Sequence, residues 1–192
     1  MLSIREIAFI CVASFALPAT AQPQQRAIDV HTSVVTIRVF KTGLFSALGH
    51  DHEIAAAVSN GSVDATARQV ELSVNAAALK LRDADISETD RAQIQTTMLG
   101  PEVLDVQRYS TISFRATGAE PTGPGTWRVQ GNLTLHGRTR PVVVEVRENG
   151  GHYIGSSRFK QTDFDITPVK VAGGTIRVKD EVRIDFDIQL AR

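Results

Sequence analysis

Cysteine is all but missing from this chain. Among 192 residues there is one, Cys11, inside an apolar stretch at the start. Beyond it, disulfides, thiolate metal sites and a cysteine nucleophile are excluded. Charge of one sign is missing too: 21 basic residues balance 21 acidic ones, with no basic block and no aromatic-basic cluster. That leaves nucleic acid without an electrostatic footprint, so none is expected as a partner. The catalytic signatures are absent as well. There is no phosphate-cradling glycine loop, no GxSxG, no HExxH and no dinucleotide fingerprint. The close carboxylates Asp83 with Asp85, and Asp163 with Asp165, lie in polar stretches and read as solvated turns. An enzyme is not expected.

Long apolar runs are missing except one. In "MLSIREIAFICVASFALPATA", Arg5 precedes an apolar run from Ile7 to Leu17, and Ala19-Thr20-Ala21 follows. The order of charge, apolar run and small-x-small site is that of a secretory signal peptide. The run is shorter than the ~20 residues that cross a bilayer. Residues 1–21 are therefore read as a leader, and 22–192 as one exported, periplasmic domain.

What is present is alternation. Val35, Ile37 and Val39 alternate with Thr36 and Arg38; Val70, Leu72 and Val74 alternate with Glu71 and Ser73. "TISFRAT" puts Ile112, Phe114 and Ala116 on one face. "WRVQGNLTLH" does the same for Trp127, Val129, Gly131, Leu133 and Leu135, and "VRIDFDIQL" for Val182, Ile184, Phe186, Ile188 and Leu190. A period of two in so many segments predicts antiparallel strands with one wet face. Asn60-Gly61 reads as a hairpin turn, as do Glu120–Gly125, Asn149-Gly150-Gly151 and Ala172-Gly173-Gly174. The expected fold class is all-β, an antiparallel, barrel-like domain of about eight strands, the number that closes a small barrel able to hold one ligand. Ser87 to Leu99 breaks the period. Ser87 with Asp90 resembles a capping pair, Ile94 and Met98 share a helical face, and Gly100-Pro101 ends the segment. One short helix is predicted there, as a core plug or as a lid over a ligand mouth.

Two histidines flank an aspartate in "GLFSALGHDHEI". On an extended strand His50, His52, Ile54, Ala56 and Val58 share a face, so both imidazoles can reach one point. Three readings stay open. One is a metal or redox site built on His50 and His52. A second is a strand start near the barrel end, where the two are hydrogen-bonded or wet. The third is a polar mouth to an apolar cavity, where the two contact a ligand head group. Small residues recur on the inward faces, at Ala56, Ala65, Ala76, Ala78, Ala116 and Gly131. They predict unfilled space inside the barrel, set against ordinary large-small packing.

Five segments, in this order, carry a resemblance: "IDVHTSVVTIRV", "LKLRDADI", "VLDVQRYSTISFRAT", "VQGNLTLHGRTRPVVVEV" and "DFDI". Together they resemble the YceI-like family of bacterial periplasmic proteins, from Ile28 to the C-terminus. The resemblance implies an extended lipocalin-like barrel with a helix beside it, enclosing an apolar pore for a polyisoprenoid chain or similar amphiphile. It implies a carrier with no cofactor beyond a bound isoprenoid lipid or quinone. The partners implied are that amphiphile and, transiently, a membrane; an exposed strand edge or mouth leaves room for a homodimer. Parity and family position together nominate the lining: Ile37, Val39, Leu72, Val74, Ile112, Phe114, Val129, Leu133, Leu135, Val144, Phe159, Phe164 and Phe186. His50 and His52 are nominated for the mouth, with no metal assigned. The chain departs from the family pattern in carrying two histidines near "GHDHEI", in lacking the histidine of the usual "RDxHL" run, and in having "DFDI" where many members have glycine after phenylalanine. These departures fall where head-group contacts are expected.

Overall fold

A computed structural model describes residues 25–42, 51–64, 66–171, 173 and 176–191. The leader-like residues 1–21, His50 and most of the Ala172-Gly173-Gly174 turn lie outside them. The described chain forms one antiparallel sheet. Its strands are β1 (Gln25–Ala27), β2 (Val34–Thr42), β3 (His52–Ala56), β4 (Val58–Asp64), β5 (Gln69–Asn75), β6 (Lys80–Leu81), β7 (Thr111–Gly123), β8 (Thr126–Leu135), β9 (Arg138–Asn149), β10 (His152–Lys160), β11 (Lys170–Val171) and β12 (Ile176–Gln189). Eleven follow one path, β1-β4-β5-β7-β8-β9-β10-β12-β2-β3-β6, and β11 pairs with β12.

The strand number exceeds the expected eight because long strands are broken. Residues 29–33 turn between β1 and β2, Ala57 separates β3 from β4, and a 3-10 turn at Ala76–Ala78 separates β5 from β6. The sheet curls until its N-terminal end meets its C-terminal end. Ile28 donates its N–H to the Gly61 carbonyl of β4 at 2.9 Å, and it bridges to Leu190 just past β12. The Ala191 N–H donates to the Ala27 carbonyl beside it at 2.8 Å.

Turn chemistry accounts for two hairpins and corrects a third. His136 and Gly137 join β8 to β9 with φ of 50° and 69°, and Gly150 and Gly151 join β9 to β10 with φ of 60° and 88°. Both central residues left-handed is the two-residue turn whose twist matches its strands. Asn60-Gly61 is no hairpin turn; it lies inside β4, paired with β5. Gly61 is there for close approach. A Cβ would sit 2.6 Å from the Ile28 side chain and 2.8 Å from the Glu71 carbonyl.

The one α-helix among the described residues, α1 (Glu88–Leu99), has the start the sequence predicts. Ser87 Oγ accepts from the Asp90 N–H at 3.1 Å, and the Ser87 hydroxyl donates to the Asp90 carboxylate at 2.7 Å. Glu88 and Asp90 place negative charge on the first turn, where the helix dipole favours it. Met98, with Ile94 and Leu99, packs on Ile54, Ala56, Val74, Leu79 and Leu81. The helix thus covers the short strand β6, and Gln95 finishes the job. Its Oε1 accepts from the Leu81 N–H at 2.8 Å and its Nε2 donates to the Leu79 carbonyl at 2.7 Å. One side-chain amide serves β6 as a neighbouring strand would. Gln95→Ala is expected to lower unfolding free energy by about 1–3 kcal/mol, because two shielded backbone groups lose their partner. Gln95→Glu, which keeps only the acceptor, falls between the two in a urea titration.

Candidate functional site

The inward faces do not meet across the sheet. They surround one cavity of about 750 Å³. At one end the walls merge with the α1 cluster; farther along, Ala116, Val129, Val142 and Val144 form a second cluster with Phe114 and Phe186 against it. Strand parity explains the lining. Ile37 and Val39 enter from β2, Leu72 and Val74 from β5, and Ile112 and Phe114 from β7. Val129, Leu133 and Leu135 enter from β8, Val144 from β9, Phe159 from β10 and Phe186 from β12. Arginines and carboxylates take the alternate positions outside. Arg38 of β2 pairs with Glu53 at 2.8 Å and with Asp185 at 3.1 Å. Burial pushes the Asp185 carboxyl up, but the hydrogen bonds and charges of Arg183 and Arg38 outweigh it and hold it below the usual carboxylate range.

Phe164 is the nominated residue that does not line the cavity. It is fully buried in a layer behind the wall, with its ring edge-on to Phe159 at 5.2 Å and packed among Leu135 and Ile166. Its place in the 3-10 turn Gln161–Phe164 removes it from strand parity. Parity did cover several lining residues that were left out of the nominations: Val35, Val70, Trp127, Val182, Ile184 and Ile188. Extending each alternation to its ends would have found them. The helix contributes Gln93, Ile94, Thr97 and Met98, so α1 both packs on the core and walls the cavity.

The small residues do not make the space. Of those expected to, Ala56 lines the cavity, but a Cβ on Gly131 would collide with the Phe114 ring, which lies over it from β7. Gly155 of β10 is covered by the Phe186 ring in the same way. Each glycine seats an aromatic ring from the next strand. Ala78 is exposed in its 3-10 turn, and Ala65 lies outside the described residues.

Charged lining gathers at the two ends, while Ser113, Ser157 and Gln161 also line the cavity. Lys41, His52, Gln93 and Arg177 stand at the α1 end, and Asp64 and Arg68 at the other. His52 opens β3, half-buried, with Nδ1 at 2.6 Å from Asp83 Oδ2. The other oxygen of Asp83 accepts the Glu53 N–H at 2.8 Å. Arg91 of α1 donates from Nε and Nη2 to the Asp83 carbonyl, at 3.1 and 2.7 Å. Asp83 is therefore no solvated turn residue: its side chain is 7% exposed. It buries because three partners replace its water. With His50 outside the described residues and His52 turned to Asp83, the paired-histidine arrangement is not formed among the described residues, nor does any group of three His, Cys, Asp or Glu side chains there fit a metal ion. His136, in the turn between β8 and β9, makes a hydrogen bond between Nδ1 and the Phe164 carbonyl at 3.1 Å.

Comparison with known proteins places this geometry. A "UPF0312 protein" of Ectopseudomonas mendocina is 33% identical over 90 residues, 42% of this chain and 47% of that one. Another, from Shewanella sp., is 25% identical over 166 residues, 80% of this chain and 82% of that one. The matches to the Ectopseudomonas protein and to a Vibrio cholerae one span about half of their lengths, 47% and 56%. Among solved structures, BcnA of Burkholderia cenocepacia superposes with a TM-score of 0.63 at 20% identity, covering 86% of this chain and 99% of that one. A Campylobacter jejuni YCEI protein superposes with a TM-score of 0.50 at 11% identity, covering 98% and 99%. At such identities the likeness carries the fold alone. The YceI-like domain model matches residues 27–190, nearly the whole chain, and the protein belongs to that family.

Proposed function

We propose that this protein is a non-catalytic carrier that sequesters a long-chain isoprenoid lipid or a quinone-like amphiphile, tail inside the cavity and head at the α1 end. The observation that carries this is the apolar cavity reaching from α1 to the β4–β5 turn, with its charged side chains gathered at the ends. Its volume of about 750 Å³ falls within the roughly 300–1,000 Å³ of small-molecule sites. Water fills apolar space poorly, since it needs polar partners. A hydrocarbon tail suits these walls, each buried CH₂ contributing ~0.8 kcal/mol. Export to the periplasm is part of the proposal and rests on residues 1–21; N-terminal sequencing of the purified protein should begin at Gln22.

Native mass spectrometry of protein purified from periplasm tests the reading. A mass excess that disappears on organic extraction, with no stoichiometric metal, is expected. Reloading should raise the melting temperature. Ligand at about 100 times Kd adds about 2.7 kcal/mol, a rise of roughly 5–10 °C for a domain of this size. Trp127 is the only tryptophan and lines the cavity, so its emission should shift to the blue on loading. A sample with stoichiometric metal and no lipid, or one whose melting and emission ignore extraction and reloading, would overturn the reading.

A further inference from the structure

The Asp83–His52 pair does more than close the α1 end. Both oxygens of Asp83 are occupied, one by the Glu53 N–H and the other by His52 Nδ1. An oxygen that receives a backbone N–H cannot carry a proton toward it, so only the Nδ1 contact can hold one. A carboxylate has only acceptors to offer, so the hydrogen of this contact is the imidazole's, on Nδ1. That assigns the tautomer from the hydrogen-bond network. In the neutral ring Nε2 is then a lone pair, an acceptor with nothing to donate. His52 lines the cavity, and Nε2 makes no hydrogen bond to any described residue. Of the other polar groups at this end, Lys41 and Arg177 are each engaged in an interaction of their own. Gln93 and Thr97 carry both donors and acceptors and so do not discriminate. Arg91 anchors the Asp83 carbonyl to α1, which keeps the pair from swinging away.

We propose that His52, with its tautomer fixed by Asp83, selects amphiphiles whose head carries a hydroxyl over amphiphiles of the same tail whose head only accepts hydrogen bonds. The ligand class is then long-chain alcohols and hydroquinones in preference to ethers, aldehydes and quinones. A hydroxyl satisfies Nε2, whereas an acceptor head faces it lone pair to lone pair and leaves both groups unpaired on desolvation. This rests on the carrier reading above, and Asp83 acts through His52 as a positioning residue.

The test compares geranylgeraniol with its methyl ether, read by Trp127 emission. The tails match and only the O–H is removed. The alcohol should bind roughly five- to tenfold tighter, the size of one neutral hydrogen bond. In Asp83→Asn the amide oxygen takes over the Glu53 N–H and the amide nitrogen faces Nδ1. The ring proton then moves to Nε2, and the alcohol's advantage should vanish. Imidazole ¹⁵N spectra of the wild type at mildly alkaline pH give a second measurement that needs no variant; they should show His52 protonated at Nδ1 and bare at Nε2. A protonated Nε2 overturns the proposal, as does equal binding of the two probes with affinity still rising with tail length. Failure of both probes to bind removes the carrier reading itself and this proposal with it.

Discussion

Leu133→Glu is expected to abolish loading while leaving the chain folded. Leu133 lies toward the C-terminal end of β8, at the junction of the cluster around Val129 and the cluster around Phe164, and it lines the cavity. In the unloaded protein a glutamate there can keep water around it, because the space before it is open. Loading a hydrocarbon tail removes that water and leaves a carboxylate with no counter-charge on the surrounding walls. The effective cost of burying one unpaired ion is several kcal/mol, and each 1.4 kcal/mol is about tenfold in affinity. A loss beyond about a thousandfold follows. Leu133→Met keeps the volume and the apolar surface and should load normally. The measurement is mass excess by native mass spectrometry, with circular dichroism on the same samples. A folded Leu133→Glu that still carries its lipid would remove Leu133 from the ligand's path.

The difference between what was legible in the sequence and what was not is one of range. Period-two alternation reports which side of a strand is dry. That is why Leu72, Val74, Ile112, Phe114, Val129 and Leu133 could be nominated and are found on the cavity wall. The Ser87 cap is equally local, since its partner is three residues away. Asn60-Gly61 misled because its local reading is a turn, while its actual constraint is Ile28, a residue just past β1. Asp83 misled in the same manner. It looks solvated beside Asp85, and only folding brings it His52 and the Glu53 N–H from about thirty residues earlier. Strand number was understated, because the bends at Ala57 and at Ala76–Ala78 leave no mark on the alternation. Gly131 looked like vacancy, yet the ring that fills it belongs to β7.

Phe164 shows the same limit from inside the core, and Phe164→Ala should separate wall from foundation. A position that lined the cavity would lose ligand and little stability on truncation, because the unfilled side already faces open space. Phe164 is 0% exposed and instead lies behind Leu135 and Phe159. Its removal deletes packing on all sides, and buried Phe→Ala changes cost about 3–5 kcal/mol. The turn around it adds to the loss. The Phe164 carbonyl accepts from His136, whose left-handed backbone forms the β8–β9 turn, and Asp165 beside it is left-handed too and paired with Arg138 at 2.6 Å. Loosening this corner releases the turn that fixes the register of β8 against β9. Urea unfolding should show the midpoint falling with little change in slope. At low temperature, where the variant remains folded, bound lipid should stay at the wild-type ratio. Phe164→Leu should recover much of the stability. Loss of lipid with an unchanged urea midpoint would instead put Phe164 on the cavity wall.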